Sequence, residues 1–448
     1  MDHDPRSDLR QLLRSGLSKS LVSLLIKVAT AGLTYGTYVI FSRVMGVGEY
    51  GYFAFGLSLA TILAIGANFG QQTAILRYWP EELVAGRPDR ALSALRSGGG
   101  LTIIAGVGIS LLMLAISAGF GATGNGPVLH LYAATALILP LALAEYWSSA
   151  LRAQGSVWTA LAPRDLLWRL ALPLLVLALA ASGVGLTGWA ALLLTAAILA
   201  LALGLQLLWA RTRRYAIAPG TGGLNNYWSE RGKASRWFFL GTVLDAVALN
   251  VDIILVGLIV APAAAGVYFN AFRTAGLLTL FMFAITLVVA PMVAQHYHAG
   301  EMRKAQAITA LCAWAGFAFS LVVFAGFVLF GDKVLALFGG AQDQGHLILI
   351  LLSIGLLFDA ATGPSRIVMM MTGHERDYVR IFGSIIVLGV LVQIAIIPVF
   401  GLVGAAAVNM TARIAAQLAI AWWSRKRIGL DTSLLGAFLV NRMADRAA

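Results

Sequence analysis

Residues 188–209 read GWAALLLTAAILALALGLQLLW, a run of 22 residues that contains no charged side chain. Because a membrane-spanning helix needs about 20 mainly apolar residues, this run predicts one transmembrane helix. Similar runs recur along the whole chain. They predict twelve spans, at residues 20–42, 50–70, 98–120, 129–151, 168–182, 188–209, 237–260, 266–289, 305–330, 346–368, 381–400 and 402–423.

The overall composition supports a membrane protein. Hydrophobic residues make up 59% of the chain and charged residues 12%, and the mean hydropathy is +0.84. Soluble domains carry about a quarter of their residues as charged side chains. We therefore predict an all-α polytopic membrane protein.

The basic residues lie almost entirely in alternate loops. Arg211, Arg213 and Arg214, for example, follow the sixth predicted span. Positive-inside topology explains this pattern and the net charge of +12, whereas a nucleic-acid partner would need one basic stripe. Twelve spans then place both termini in the cytoplasm. The loops assigned to the outside are short and almost uncharged, which disfavours a membrane enzyme that processes sugars there.

The sequence offers no catalytic, metal or cofactor site. The only cysteine, Cys312, lies in an apolar run, and His296 and His298 are two residues apart, so they point to different sides of a helix. A phosphate-binding loop with its Gly-Lys-Ser ending is absent from the sequence. We predict no cofactor and no enzymatic activity.

An internal repeat divides the twelve spans into two sets of six. Four pairs of glycines recur in order at offsets of 214 to 218 residues: Gly51 and Gly266, Gly86 and Gly300, Gly155 and Gly373, and Gly188 and Gly404. Since six is even, the two lobes have the same orientation, and a pseudo-two-fold axis along the membrane normal relates them. Transporters with a substrate path between two lobes have this arrangement.

The predicted organisation has five parts. Residues 1–19 form a cytoplasmic or interfacial N-terminal segment, 20–210 an N-lobe, 211–236 a cytoplasmic linker, 237–424 a C-lobe and 425–448 a cytoplasmic tail. The linker is rich in glycine and polar residues, so we expect it to let the lobes rock.

The stretch RVMGVGEYGYF at residues 43–53 resembles the first outer hairpin of polysaccharide biosynthesis flippases. These Wzx-type flippases belong to the MOP superfamily, together with MATE antiporters. Further matching residues stand at the starts of the eighth and twelfth spans: Gly266, Tyr268, Ala271, Arg273, Gly401, Gly404 and Ala405.

The resemblance implies a function. Flippases of this branch move an undecaprenyl-diphosphate-linked oligosaccharide, such as an O-antigen or exopolysaccharide repeat unit, from the inner to the outer leaflet of the bacterial inner membrane. The implied partners are this anionic lipid, membrane lipids and the polysaccharide polymerase or export machinery, with no nucleic acid. The alternative is a cation-coupled, MATE-type exporter of small molecules.

Ionisable residues inside membrane spans are costly and usually functional. Arg273 on the eighth span is the first candidate for binding the diphosphate or an acidic sugar, because a guanidinium has several donors in one plane. Its alternative role is an ion pair with Asp252. Lys27 on the first span is the second substrate-binding candidate, although it could also extend to the cytoplasm.

Four charged residues stand as candidates for ion coupling or ion pairing. Asp245 and Asp252 are seven residues apart and therefore share a face of the seventh span, which suits either a cation pathway or pairing with cations. Asp359 and Arg413 lie at comparable depth in the C-lobe, where we favour a structural pair. The sequence Gly363–Pro364 predicts a break in the tenth span.

The topology is testable with accessibility tags. A tag at Asn226 and one at the C-terminus should be cytoplasmic, and a tag at Gln342 should lie outside, because twelve spans return the chain to the side where it began. Labelling of intact and permeabilised cells measures this. An odd number of spans would contradict the six-plus-six organisation.

Overall fold

A computed structural model describes residue 26 and residues 28–122, 128–220, 224–339 and 344–438. The described chain is almost entirely helical and contains no β-strand within those ranges. Its fifteen helices are α1 (28–44), α2 (Val47–Ala67), α3 (Gln71–Val84), α4 (Pro88–Ala122), α5 (Val128–Ala153), α6 (Val157–Leu161), α7 (Trp168–Ala181), α8 (Gly188–Thr212), α9 (Leu224–Ile259), α10 (Pro262–Ala275), α11 (Leu280–His298), α12 (Met302–Leu335), α13 (Gly345–Ala361), α14 (Ser365–Met371) and α15 (Glu375–Arg427).

Seven helical stretches in the described ranges are long and apolar enough to cross a membrane by length and composition, and α13 is a shorter apolar helix. They confirm an all-α membrane fold. The predicted number of twelve spans stays a prediction, although the described residues of each predicted span are mainly helical.

The eleventh and twelfth predicted spans form one helical run that folds back on itself. Within α15, Gly401 has φ 57° and ψ −140°, values outside the helical range. Across this break, the Gln393 side-chain amide donates to the Ala405 carbonyl at 3.3 Å. The two arms of α15, residues 375–400 and 402–427, therefore run antiparallel. Glycine permits this sharp turn because it has no Cβ.

The helices pack into two halves, an N-terminal half of α1 to α8 and a C-terminal half of α9 to α15. In the N-terminal half α5 packs against α2, α4 and α8, and in the C-terminal half α13 packs against α10, α12 and α15. Both halves contribute to one buried hydrophobic core, which includes Phe53 and Leu192 from the first and Ile253 and Tyr268 from the second. This is the two-lobed arrangement that the repeat predicts.

Two of the repeated glycine pairs have the same backbone conformation in both halves. Gly86 and Gly300 have φ of 70° and 76°, and Gly155 and Gly373 have φ of 88° and 81°. All four follow the end of a helix, where a left-handed residue terminates the helix and glycine adopts this conformation without strain. These two repeated glycine pairs therefore mark equivalent turns at helix ends in the two halves.

A third pair, Gly51 on α2 and Gly266 on α10, lies where α2 of the N-terminal half touches α10 of the C-terminal half. A Cβ added to Gly266 would lie 3.3 Å from the Gly51 Cα, and one added to Gly51 would overlap the Pro262 carbonyl. Next to them, the Tyr50 hydroxyl donates to the Asn270 side-chain oxygen at 2.7 Å. Small residues allow helix backbones to touch in this way. We call this contact the glycine seam.

The glycine seam lies where short connections join the helices, around residues 45–46, 182–187 and 260–261. We call this the short-loop end of the bundle. Arg43 extends the seam there, because its guanidinium donates to the Leu337 carbonyl at 2.5 Å. The opposite end, with the arginine-rich connections around residues 85–87 and 213–220, is the basic end. Phe69 and Phe239 stack across the halves at this end, with ring centroids 5.0 Å apart.

Part of the predicted linker is built into these helices. Residues 224–236 are the first turns of α9. The Gly220 amide donates to the Arg96 carbonyl on α4 at 3.0 Å, so the preceding residues rest on the N-terminal half. The boundaries of the five predicted parts stay a prediction.

The glycine seam predicts a difference between two alanine substitutions. Gly51→Ala should lower the free energy of unfolding by about 1–3 kcal/mol, because the new methyl group collides with the backbone of α10. Gly48→Ala is the matched control, since a Cβ at Gly48 meets nothing within 4 Å. Both variants add one methyl group to α2, so a comparison of their thermal unfolding in detergent reports the collision. Equal unfolding temperatures would show that the seam tolerates the methyl group.

Candidate functional site

A cavity of about 360 Å³ lies between the two halves. The N-terminal half lines it with residues of α2, α3 and α5, and the C-terminal half with residues of α9 and α10. Its polar and charged lining residues are Thr61, Gln72, Thr73, Glu145, Ser149, Arg152, Thr242, Asp245, Asn250 and Arg273. A cavity with polar groups from both halves is the arrangement expected of a transport site.

Arg273 lines this cavity near the end of α10, directly before a 3₁₀ turn at Gly276–Thr279. Its guanidinium donates to the Asn250 side-chain oxygen at 3.3 Å and lies 4.7 Å from the Phe269 ring centroid. Its Nε is buried and lacks a hydrogen-bond partner in the described chain. No described carboxylate lies within ion-pair distance of Arg273. An amide oxygen and an aromatic ring therefore stabilise the positive charge of Arg273.

Asp252 has its hydrogen-bond partners inside the C-terminal half, away from Arg273. Its carboxylate accepts hydrogen bonds from the Tyr268 hydroxyl at 2.7 Å, the Gln393 amide at 2.9 Å and the Asn409 amide at 2.5 Å. These donors leave no role for Arg273 as its partner. The alternative pairing that the sequence allowed is absent from the described structure, because neutral donors on α10 and on both arms of α15 surround the carboxylate.

Asp359 and Arg413 form an ion pair inside the same half. The Arg413 Nη1 lies 2.7 Å from Asp359 Oδ2, across α13 and the second arm of α15. Both side chains are about one-fifth exposed. A charge that lost its partner in such a place would destabilise the fold by about 3–5 kcal/mol. The structure therefore brings together the two residues that the sequence placed at comparable depth.

Asp245 has an arginine partner that sequence reasoning missed. Arg366 Nη2 lies 2.5 Å from Asp245 Oδ2, and the Tyr378 hydroxyl donates to the other carboxylate oxygen at 3.4 Å. The sequence places Arg366 near the inner end of the tenth span, among basic residues that topology alone explains. The break at Gly363–Pro364 was the available signal, because it starts a new helix at Ser365 and sets the direction of Arg366.

The N-terminal half contains a second charge cluster, also missed. Arg164 pairs with Glu145, and its Nε lies 3.6 Å from Asp165 Oδ1. Arg169 Nη1 lies at the same distance from Asp165. Arg164 and Asp165 belong to a π-helical turn, Ala162–Leu167, that contains Pro163. Such turns are often functional, and here the turn directs Arg164 toward α5.

Arg152 is the remaining charged residue of the cavity lining. Its guanidinium donates to the Ser149 hydroxyl at 2.9 Å, and its Nε is buried without a partner. No described carboxylate lies within ion-pair distance. The cavity therefore has two carboxylates, Glu145 and Asp245, each paired with an arginine, and two arginines, Arg152 and Arg273, that have no such partner. The balance of charge around the cavity is positive.

Lys27, the other predicted substrate-binding residue, lies outside the described residues. The neighbouring part of α1 reaches the C-terminal half, since the Tyr35 hydroxyl lies 3.2 Å from the Thr274 hydroxyl. Among the residues described, no group of three or more His, Cys, Asp or Glu side chains is placed to hold a metal ion.

Residues 17–297 match the polysaccharide biosynthesis protein family. No curated protein sequence matches the chain. A multidrug resistance MATE family transporter of the MOP superfamily in an inward-facing conformation is similar in structure, with 18% identity, a TM-score of 0.70, and coverage of 92% of this chain and 98% of that one.

Two further solved structures are similar. A multidrug resistance MATE family transporter in an outward-facing conformation has 16% identity and a TM-score of 0.68, covering 92% of this chain and 95% of that one. A MOP superfamily transporter from Pyrococcus furiosus has 17% identity and a TM-score of 0.66, with the same coverage, and is described by a binding pocket of reverse polarity that suggests a different function.

Identities this low establish the fold alone, and the family follows from the match over more than half of the chain. The chain belongs to the polysaccharide biosynthesis protein family and has the fold of MATE transporters of the MOP superfamily.

Proposed function

We propose that this transporter flips an undecaprenyl-diphosphate-linked oligosaccharide, an O-antigen or exopolysaccharide repeat unit, from the inner to the outer leaflet by alternating access. The observation that carries the proposal is the charge of the cavity between the halves. Its two carboxylates are each paired with an arginine, and Arg152 and Arg273 keep their positive charge available. Such a cavity favours an anionic head group over a cationic solute.

Arg273 and Arg152 match the head group in number and position. A diphosphate diester carries two negative charges, and a planar guanidinium can donate two parallel hydrogen bonds to a phosphate. Arg273 belongs to the C-terminal half and Arg152 to the N-terminal half, so one diphosphate that binds both would contact both halves. Lys27 remains a proposed third cation. Asp245, Asp252, Asp359 and Arg413 are proposed as ion pairs or ion-coupling groups.

Contacts between the halves at both ends of the bundle suit alternating access. The glycine seam closes the short-loop end, and the stack of Phe69 on Phe239 lies at the basic end. By the positive-inside rule the basic end faces the cytoplasm. We propose that the head group enters from that end and leaves when the glycine seam opens.

The proposal includes the setting of the protein. We place it in the bacterial inner membrane with both termini in the cytoplasm. We assign an N-lobe at 20–210, a linker at 211–236, a C-lobe at 237–424 and a tail at 425–448. Polymerase or export machinery would receive the flipped lipid, and the chain itself would carry out no covalent chemistry.

A cation-coupled exporter of small molecules is the second candidate. The observation that favours it is a small cavity inside the C-terminal half, lined by Asp252, Gln393, Asn409 and Arg413, where the Asp252 carboxylate accepts hydrogen bonds from two side-chain amides. Cation coupling at this cavity would also be compatible with lipid flipping. The charge of the central cavity is what separates the two candidates.

Arg273→Ala should reduce flipping of the lipid-linked oligosaccharide strongly, by about tenfold or more if one charge-assisted contact of 1.5–3 kcal/mol is lost. Arg273→Lys should restore only part of the rate, because an ammonium group lacks the planar fork. Complementation of a flippase deletion, with accumulation of the lipid-linked sugar as the readout, measures both.

Arg77→Ala is the matched control, because Arg77 lies on α3 with a side chain that is 61% exposed. It should flip normally at the same protein level in the membrane. The double variant Arg273→Ala with Asp252→Asn should remain impaired, since Asp252 has other partners. Full flipping by that double variant would remove Arg273 from the proposed site.

Asp245→Asn separates the two candidate functions. In a flippase, loss of this carboxylate makes the cavity more positive, so binding of a prenyl diphosphate to the purified protein should tighten about threefold, the size of a 0.7 kcal/mol change. An exporter that uses Asp245 for cations should instead lose activity. A titration with geranylgeranyl diphosphate, compared with the uncharged alcohol, gives the answer. Weaker binding of the diphosphate would contradict the flippase.

A further inference from the structure

After α15 the chain folds back into the C-terminal half. Residues 428–436, which we call the return segment, bring Leu430, Asp431 and Thr432 into the interior, where each is 3% exposed or less. The Asp431 carboxylate is satisfied locally, since it accepts hydrogen bonds from the Ser433 amide and hydroxyl at 3.0 and 2.6 Å. This segment is therefore a built part of the half.

A glutamine on α12 holds the return segment by its backbone. The Gln306 Oε1 accepts from the Asp431 amide at 2.8 Å, and its Nε2 donates to the Asp431 carbonyl at 2.7 Å. Backbone groups that are buried need such partners. One side chain here satisfies both groups of one residue.

The N-terminal half repeats this device. Gln154 Oε1 accepts from the Ala216 amide at 2.8 Å, and its Nε2 donates to the Ala216 carbonyl at 3.0 Å. Ala216 follows the sixth predicted span, as Asp431 follows the twelfth. The two clamped residues are 215 positions apart, which is the offset of the repeat, although Gln154 follows the fourth predicted span and Gln306 lies at the start of the ninth.

In the C-terminal half the return segment reaches the break between α13 and α14. The Leu434 amide donates to the Ala361 carbonyl at 2.9 Å, a group that the end of α13 leaves free. The Thr432 and Ser365 hydroxyls lie 2.8 Å apart. At the break itself, Gly363 has φ 65°, and a Cβ there would overlap the Thr432 carbonyl. The segment thus fixes where α14 begins.

Arg366 is the next residue on α14 after Ser365, and it pairs with Asp245 in the wall of the central cavity. We propose that the return segment, through Thr432 and the Gln306 clamp, is a positioning element that holds Arg366 against Asp245. This inference rests on the proposed function, in which the cavity must be positive for an anionic head group. If α14 shifts, Asp245 faces the cavity as a bare negative charge and repels the diphosphate.

The test uses the full-length protein with Gln306→Met and Thr432→Val combined, which removes the clamp and the contact with Ser365. Purified in detergent, this variant should bind geranylgeranyl diphosphate about tenfold more weakly than the parent protein, a 1.4 kcal/mol change. The matched control is Thr411→Val, because the Thr411 hydroxyl is exposed and bonds only to carbonyls of its own helix. The control should bind like the parent protein.

The decisive comparison repeats the pair of substitutions in an Asp245→Asn background. There Arg366 has no carboxylate to neutralise, so releasing the return segment should leave the affinity for the diphosphate unchanged. A tenfold loss in that background as well would overturn the inference, because the segment would then act by another route.

A second readout needs no ligand and covers the case in which the return-segment variant folds poorly. Thr432→Val alone and Asp245→Asn alone, with their double variant, form a cycle in unfolding temperature. If the return segment positions Arg366, the two effects are coupled and their sum exceeds the effect of the double variant. Additive effects would overturn the inference. If the parent protein binds the diphosphate no better than the alcohol, the proposed function fails while a coupled cycle still supports the positioning role.

Discussion

The contact on which the structure depends is the meeting of Gly51 and Gly266. Inside a membrane, apolar side chains gain little from touching each other rather than lipid, so helices associate mainly by close packing and hydrogen bonds. Two glycines allow the backbones of α2 and α10 to touch, and the hydrogen bond from Tyr50 to Asn270 is added beside them. Arg273 lies seven residues beyond Gly266, about 10 Å further along α10. The position of the seam therefore determines which part of α10 faces the cavity.

Within each half, the buried polar groups named above have hydrogen-bond or ion-pair partners. In the cavity between the halves, two arginines have no described carboxylate partner. Inside the C-terminal half, Asp252 accepts three hydrogen bonds and Asp359 pairs with Arg413. In each half a glutamine holds the backbone that follows its last span. In the cavity between the halves, Arg152 and Arg273 have no described carboxylate within ion-pair distance. This division suits the proposed function, in which hydrogen bonds and ion pairs hold each half together and the positive charge between the halves binds the cargo.

Irregular backbone supports this division at three places. The π-helical turn at Ala162–Leu167 directs Arg164 to Glu145, and the break at Gly363–Pro364 directs Arg366 to Asp245. The 3₁₀ turn at Gly276–Thr279 directly follows the part of α10 that carries Arg273. Helices that deviate from regular geometry inside a membrane need other partners for the freed backbone groups. At the second break the partner is known, since the Leu434 amide binds the Ala361 carbonyl.

The sequence by itself determined the membrane class, the two-lobed repeat and the position of Arg273 within an apolar segment, because apolar length, charge bias and glycine spacing are local properties of the chain. It also indicated the Asp359–Arg413 pair and the break at Gly363–Pro364. Only the tertiary structure decided that Asp252 binds amides and a hydroxyl, that Arg366 neutralises Asp245, and that Arg152 and Glu145 line the cavity. These partners are separated by up to 157 residues in the chain. A sequence records how deep a residue lies along its helix, whereas the direction in which a side chain points depends on helix rotation and on kinks, which are set by packing against other helices.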